Sequence, residues 1–157
     1  MIRKHTYILI IFSFLLISFT NKSRDLNNCV NNKYFHLLSA TSSSWTAGTV
    51  RGGSGTEFYF KIIIKTKQKI VFDSLWVGNR SNKIVVSKEQ KFVSNAPVKY
   101  SKGDTITLRA SFLNNNNKTV KTPIKNKGDA LISYRVNEKL KYYTINKIET
   151  LKPIYYP

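Results

Sequence analysis

TITLRASFL, residues 105–113, decides the fold class, because apolar and polar side chains alternate along it. Ile106, Leu108, Ala110 and Phe112 fall on one face of an extended chain, while two threonines, an arginine and a serine fall on the other. A period of two is typical of a β-strand with one buried and one wet face. The stretch therefore predicts a strand that covers one side of a hydrophobic core.

Residues 57–66 show the same period. One face of this segment carries Phe58, Phe60, Ile62 and Ile64. Tyr59 and Ile63 make the opposite face partly apolar, so we expect a strand that is covered on both sides.

The rest of the chain after residue 33 is divided into short apolar segments by turn-forming residues. Further strands are predicted at residues 34–40, 43–50, 69–78, 83–87, 129–136 and 140–149. Residues 79–82 are expected to form a turn, residues 137–139 a hairpin loop, and residues 114–127 a long exposed loop rich in asparagine and lysine.

No segment keeps a helical spacing of apolar residues over three turns. About eight short strands therefore predict an all-β domain over residues 34–157, a single antiparallel β-sandwich or an open barrel.

Residues 1–20 are predicted to be an export signal. Arg3 and Lys4 give a basic start, and residues 7–19 form an apolar run of thirteen residues, which is short for a bilayer span. Ser18 and Thr20 place small side chains before a cleavage site at residue 21, which predicts a periplasmic or secreted protein. Retention of the segment as a membrane anchor is the alternative.

Residues 21–33 are polar and are predicted to be a tether between the leader and the domain. Cys29 follows Leu26, Asn27 and Asn28, which make a poor lipid-attachment motif. Because the sequence has one cysteine, no disulfide can form within the chain, and stability must come from the hydrophobic core.

The chain is strongly basic, with 26 lysines and arginines against 8 acids. The leader holds two of the basic residues and no acid, so residues 21–157 carry a formal charge of +16. Such a charge attracts anionic surfaces, namely lipid head groups, acidic polysaccharides or nucleic acids. The alternative is that the many lysines, asparagines and isoleucines reflect AT-rich coding sequence and no selected partner.

The sequence predicts no enzyme, cofactor or metal site. His36 is the only histidine after the leader and lies in a predicted strand, and Cys29 lies in the tether, so no nucleophile and base are placed together. One cysteine and one histidine also cannot complete a zinc site. A hydrolase that uses Glu57 and Asp73 on neighbouring strands is the catalytic alternative.

Asp104 and Asp129 each follow a glycine. Their carboxylates are expected to accept hydrogen bonds from the backbone of the turn in which they lie.

The candidate binding surface combines aromatic and basic residues. Its predicted members are Trp45, Arg51, Tyr134, Arg135, Lys141 and Tyr143. Trp45 precedes a glycine-rich segment that continues directly into a strand, which predicts a hairpin loop and not a phosphate-binding loop. Aromatic rings interleaved with cations can stack on sugar rings or bases.

We expect a glycan, an anionic envelope component or another envelope protein as partner. Nucleic acid fits an exported protein less well, and membrane contact is expected only through an uncleaved leader.

Residues 45–60 resemble small exported, lipoprotein-like proteins of Bacteroidetes bacteria. The likeness rests on a W-x-x-G strand at Trp45 and Gly48, a G-S-G-T turn at residues 53–56 and the aromatic residues 58–60, and it extends to residues 141–145. The resemblance implies an envelope location and a β-rich fold, and it carries no activity. The absence of a lipid-attachment motif at Cys29 departs from that group.

Overall fold

The computed structural model describes residues 32–49, 52–88, 99–115 and 119–157. Within these ranges the chain is all-β and contains no helix. The strands are β1 (Phe35–Ala47), β2 (Ser54–Ile64), β3 (Ile70–Val77), β4 (Arg80–Lys83), β5 (Val85–Lys88), β6 (Thr105–Leu113), β7 (Ala130–Val136), β8 (Lys139–Ile145), β9 (Glu149–Thr150) and β10 (Ile154–Tyr156). The predictions for the leader, Cys29 and most of the tether fall outside the described ranges.

Two sheets pack face to face, which confirms the predicted β-sandwich. Sheet A has the order β10-β1-β2-β6-β5, and β9 also pairs with β1. Sheet B has the order β4-β3-β7-β8. Strands β9 and β10 run parallel to β1, while the other described pairs are antiparallel.

The core lies between the sheets and is built by the alternating residues of β2, β3, β6 and β7. Strand β6 has the predicted bounds, and its four inward-facing apolar residues, Ile106, Leu108, Ala110 and Phe112, are at most 5 % exposed. The central strand β2 contributes Phe60 and Ile62, both fully buried. Sheet B contributes Leu75 and Ile132 opposite them, also fully buried.

The β7–β8 hairpin is confirmed, with a tighter loop than predicted. Asn137 and Glu138 alone connect the strands, and their φ angles are 46° and 66°. Positive φ at both central residues is the backbone of a two-residue turn that matches the twist of the paired strands. Asparagine tolerates this conformation better than most residues.

Three sequence predictions about strand division are wrong. Residues 34–40 and 43–50 were expected as two strands, but Phe35–Ala47 is one continuous strand with a register shift between Leu37 and Ser39. Residues 79–82 were expected as a turn, but Arg80–Lys83 pairs with β3, and the chain then crosses to sheet A as β5. Residues 140–149 were expected as one strand, but β8 ends at Ile145, and Glu149–Thr150 is a separate strand that pairs with β1; strand β10 was not predicted.

Residues 119–129 form a loop that runs across one end of sheet B, from the β3–β4 turn to the end of β8. The Val120 amide donates to the Asn79 carbonyl at 2.7 Å, beside the β3–β4 turn, and Gly128 lies against the end of β8. A Cβ on Gly128 would lie 2.3 Å from the Ile145 carbonyl oxygen, so the close approach requires glycine here. Arg80, at the start of β4, donates to the Leu113 carbonyl at 3.4 Å, and Leu113 pairs with Gly55 near the start of β2, so this loop and the β1–β2 loop occupy the same end of the sandwich.

Candidate ligand-binding face

The outer face of sheet A carries a cluster of aromatic and charged side chains, Trp45, Glu57, Tyr59, Arg109 and Tyr156, which we call the aromatic face. They lie on β1, β2, β6 and β10. Because side chains alternate along a strand, residues that flank the buried phenylalanines of β2 point away from the core. The β2–β6 register places Tyr59 opposite Arg109, which brings the two outward residues together.

Glu57 and Arg109 form a two-point ion pair at the middle of this face. The Arg109 guanidinium donates through Nη2 to Oε1 and through Nε to Oε2, the latter at 3.1 Å. The Tyr59 hydroxyl donates to the same Oε2, and the guanidinium carbon lies 6.0 Å from the Tyr59 ring centre. Two parallel hydrogen bonds between charged groups fix both side chains in one geometry.

These contacts shift the pKa values of the cluster. Partial burial acts to raise the pKa of Glu57, but hydrogen bonds from Arg109 and Tyr59 outweigh it, so the pKa lies below its ordinary value of 4.5. Burial, followed by the bond to Glu57, raises the pKa of Tyr59 to about 12. The hydrogen bond to Glu57 raises the pKa of Arg109. At neutral pH Glu57 is therefore a carboxylate, Arg109 a guanidinium cation and Tyr59 a protonated phenol.

Replacing Glu57 with glutamine is expected to lower the unfolding free energy at pH 7 by about 1 to 2 kcal/mol, since it removes a charged acceptor. The folded-state pKa is lowered, so the carboxylate's contribution is complete above the unfolded pKa of about 4.5 and is lost as pH falls through the folded value. Urea titrations of wild type and Glu57→Gln at several pH values should therefore converge in acid. Glu149→Gln, an exposed change in the same sheet, is the control, and an equal loss there would contradict the assignment.

Trp45 packs across a glycine at the edge of this cluster. A Cβ on Gly55 would lie 2.9 Å from Trp45 Nε1, so the indole rests directly on the β2 backbone. The Tyr156 ring meets the indole edge to face at a centroid distance of 6.3 Å. The Trp45 Nε1 is buried and finds no hydrogen-bond partner among the described residues. The indole is thus held by packing, with part of the side chain exposed to solvent.

Exposed apolar side chains extend the aromatic face on both sides. Val85 is 58 % exposed beside Arg109, Leu113 is 47 % exposed beside Gly55, and Ile154 is 44 % exposed beside Trp45. Tyr156 itself is 51 % exposed. Contiguous exposed apolar area of this kind is typical of binding surfaces on soluble proteins.

The six residues predicted as a binding surface do not lie on one surface. Trp45 is on the outer face of sheet A, and Arg135 is on the outer face of sheet B, where it pairs with Asp73 at 3.2 Å. Tyr134 is buried between the sheets, and Tyr143 packs against that core through Phe35. Lys141 lies at the sandwich edge with its Nζ 5.5 Å from the Tyr34 ring centre. Arg51 lies outside the described residues.

The predicted carboxylate pair is also wrong in its placement. Glu57 is on β2 of sheet A and Asp73 on β3 of sheet B, so the two acids are not on neighbouring strands of one sheet. Asp104 accepts from the Ser101 amide at 2.7 Å, which confirms its role in the turn before β6. Asp129 accepts from the Ile148 amide at 2.8 Å, so it bonds a segment beyond β8 and not its own turn.

Two members of the aromatic face, Tyr59 and Arg109, were not among the predicted site residues, whereas Tyr156 belongs to a tyrosine pair that the sequence already indicates as able to stack on a sugar ring or base. Tyr59 and Arg109 occupy the outward positions of the two clearest predicted strands, and that alternation was the available signal. The missing information was that β2 and β6 are neighbours, and no local pattern carries it.

No protein-family model, curated protein or solved structure matches this chain. Within the described ranges, no group of three or more histidines, cysteines or acids is arranged to hold a metal ion. The same ranges contain no helix of the length and apolarity that a membrane span requires.

Proposed function

We propose that this protein is a non-enzymatic, exported binding domain of the cell envelope, and that its aromatic face binds a glycan. The observation that carries the proposal is the cluster of Trp45, Tyr59 and Tyr156 around the Glu57–Arg109 ion pair, open to solvent on the outside of a rigid sheet. The binding residues lie on four hydrogen-bonded strands, so little ordering is needed when a ligand binds.

A sugar ring suits the chemistry of this face. The C–H bonds on one face of a pyranose form an apolar surface that packs against the electron-rich face of an aromatic ring. The rim of a sugar is lined with hydroxyls, which both donate and accept hydrogen bonds. Glu57 and the tyrosine hydroxyls supply acceptors, while Arg109 supplies donors, so both kinds of partner are present beside the rings.

A polyphosphate ligand suits it less well. The cation at the centre of the face is already neutralised by Glu57, and the carboxylate would repel a phosphate placed on the rings. A glycan meets no such repulsion when its hydroxyls, and not its acidic groups, contact the rings beside Glu57. The formal charge of +16 over residues 21–157 further favours an acidic glycan over a neutral one, because long-range attraction raises its concentration near the domain.

The competing function is a glycan hydrolase that uses Glu57 or Asp73. A general acid needs a pKa raised toward neutrality, and the pKa of Glu57 is lowered by Arg109 and Tyr59. Glu57 is therefore arranged as a fixed acceptor, which supports binding over hydrolysis. If the protein cleaves the bound polysaccharide, the hydrolase replaces the proposed function.

The proposal is tested by affinity electrophoresis in gels that contain acidic or neutral polysaccharides. Wild type should be retarded, most strongly by an acidic polymer. Trp45→Ala should weaken binding at least about tenfold, because tryptophans are enriched among the residues that contribute most of the binding energy of an interface. Trp76→Ala is the matched control. Trp76 meets Tyr142 at a centroid distance of 6.4 Å, nearly as Trp45 meets Tyr156, but lies on the outer face of sheet B.

Two results would contradict the proposal. One is equal loss of retardation in the two tryptophan variants while both keep the circular dichroism of the wild type. The other is a shorter polysaccharide chain after incubation, with the shortening abolished by Glu57→Gln.

A further inference from the structure

One end of the sandwich, which we call the basic end, gathers lysines from four separate segments. They are Lys33 before β1, Lys65, Lys67 and Lys69 between β2 and β3, Lys102 before β6, and Lys139 at the start of β8. All six are exposed.

Backbone hydrogen bonds hold these segments together. The Lys65 amide donates to the Tyr34 carbonyl at 2.8 Å, which joins the β2–β3 loop to the residue before β1. The Gly103 amide donates to the Ile64 carbonyl at 2.8 Å, and the Asn137 amide to the Lys69 carbonyl at 3.4 Å. The turn before β6 and the β7–β8 hairpin therefore meet the same loop.

Little negative charge offsets these lysines within the described residues. Asp104 lies at this end, but its charge is neutralised by Lys88, whose Nζ lies 3.0 Å from Asp104 Oδ2. Glu138, in the β7–β8 hairpin, is a second acid there. None of the three ion pairs found in the described ranges involves a lysine of the basic end. The six exposed ammonium groups thus form one cationic surface at this end of the sandwich.

We propose that the basic end docks on an anionic membrane surface. The chain enters the domain at this end, since Asn32 and Lys33 precede β1 there. Twelve residues, 20–31, separate that entry point from the apolar run 7–19, a span of at most roughly 40 Å. Until the leader is cleaved, or throughout if it is retained as an anchor, the apolar run ties the chain to a bilayer, and the basic end is then the part of the domain held nearest to that bilayer.

The chemistry of the cations also favours lipid head groups. All six are lysines, whose compact ammonium groups stay hydrated and act as point charges without the planar two-point geometry of arginine. Each basic residue near an anionic leaflet adds to the attraction, so six lysines on one surface act together. Docking through this end leaves the aromatic face at the side of the domain, so the two surfaces bind independently.

The test is lysine footprinting by amine acylation and mass spectrometry, with the full chain on vesicles of phosphatidylcholine with or without phosphatidylglycerol. Acylation of Lys65, Lys67 and Lys69 should slow at least about fivefold on the anionic vesicles only, since that leaflet alone attracts the cations. The internal control is Lys121, Lys125 and Lys127, which lie at the opposite end of the sandwich and should react equally on both. The protection should disappear in 1 M salt, where screening acts within about 3 Å.

Matched triple variants separate docking from general attraction of a basic protein. Replacing Lys65, Lys67 and Lys69 with glutamine and replacing Lys121, Lys125 and Lys127 with glutamine give the same formal charge. Only the first variant should lose the difference in protection at Lys33 and Lys139 between the two vesicle types. Equal protection at both ends, or none at the basic end, overturns the proposal. So does stronger protection of the basic end by soluble heparin than by anionic vesicles, which would identify a polyanion as the partner.

Discussion

Replacing Phe60 with alanine is expected to lower the unfolding free energy by about 3 to 5 kcal/mol, the range for removing a buried aromatic side chain. Phe60 is fully buried in β2, the middle strand of sheet A, and pairs with Ala40 on β1 and Leu108 on β6. Ala40 is too small to fill the vacated volume, and Leu108 is itself fixed in the ladder. Most of the cavity should therefore persist, and the loss should fall in the upper part of the range.

Urea denaturation followed by far-ultraviolet circular dichroism measures this loss. Val85→Ala, at a position that is 58 % exposed on β5, is the control and should change stability by less than roughly 0.5 kcal/mol. A similar cost for the two substitutions would mean that β2 is not the central strand of the core. In a domain with a typical stability of about 5 to 15 kcal/mol, the Phe60 substitution should leave a substantially unfolded population on mild heating.

The strands that the sequence predicted well are those in which one face is buried along the whole length. Strand β6 alternates from Thr105 to Phe112, and each of its inward residues meets the core, so local pattern and final burial agree. The β7–β8 turn was predictable for a different reason: Asn137 accepts the positive φ that a two-residue loop needs. In both cases the information lies within ten residues of sequence.

Strand β1 was divided wrongly because its burial depends on distant partners. The predicted break fell at Thr41 and Ser42, two hydroxyl residues beside two further serines, yet Ser42 and Ser43 are only 7 % and 5 % exposed. The Ser43 hydroxyl donates to the Lys152 carbonyl at 3.1 Å, across 109 residues of sequence. The β9–β10 segment thus satisfies a buried hydroxyl that no local pattern could show to be paired.

The candidate site was only partly predictable for the same reason. Trp45 and Glu57 were recognised as candidates, and Tyr59 and Arg109 lie on predicted strands, but 52 residues separate Glu57 from its partner Arg109. Strand β2 is followed in sequence by three strands before β6, its neighbour in the sheet. Tyr134 and Tyr143 were placed on a surface because the period of β7 and β8 does not reveal which face is buried.

Replacing Gly55 with alanine is expected to lower the unfolding free energy by about 2 to 3 kcal/mol and to reduce glycan binding, because the added methyl overpacks a closed position. The new Cβ would lie 2.7 Å from the Phe112 carbonyl oxygen and 2.9 Å from Trp45 Nε1. The first neighbour is backbone in the β2–β6 ladder and cannot move without loss of hydrogen bonding. The second is the indole of the aromatic face, so the same methyl must displace Trp45.

The two clashes can be separated by a double-mutant cycle with Trp45→Ala. In the Trp45→Ala background, Gly55→Ala should lower the unfolding free energy by less, because the strain against the indole is gone. The loss caused by the clash with the Phe112 carbonyl should remain. With Trp76→Phe as the background, Trp45 is the sole tryptophan, and its fluorescence should report the displacement directly. Gly53→Ala is the control: a Cβ there meets open space, and its cost comes from a φ of 76°, so it should leave Trp45 fluorescence unchanged. Two results together would contradict this assignment: additive stability losses in the cycle, and an unshifted Trp45 spectrum in Gly55→Ala. They would place the indole away from Gly55 and remove the packing on which the aromatic face depends.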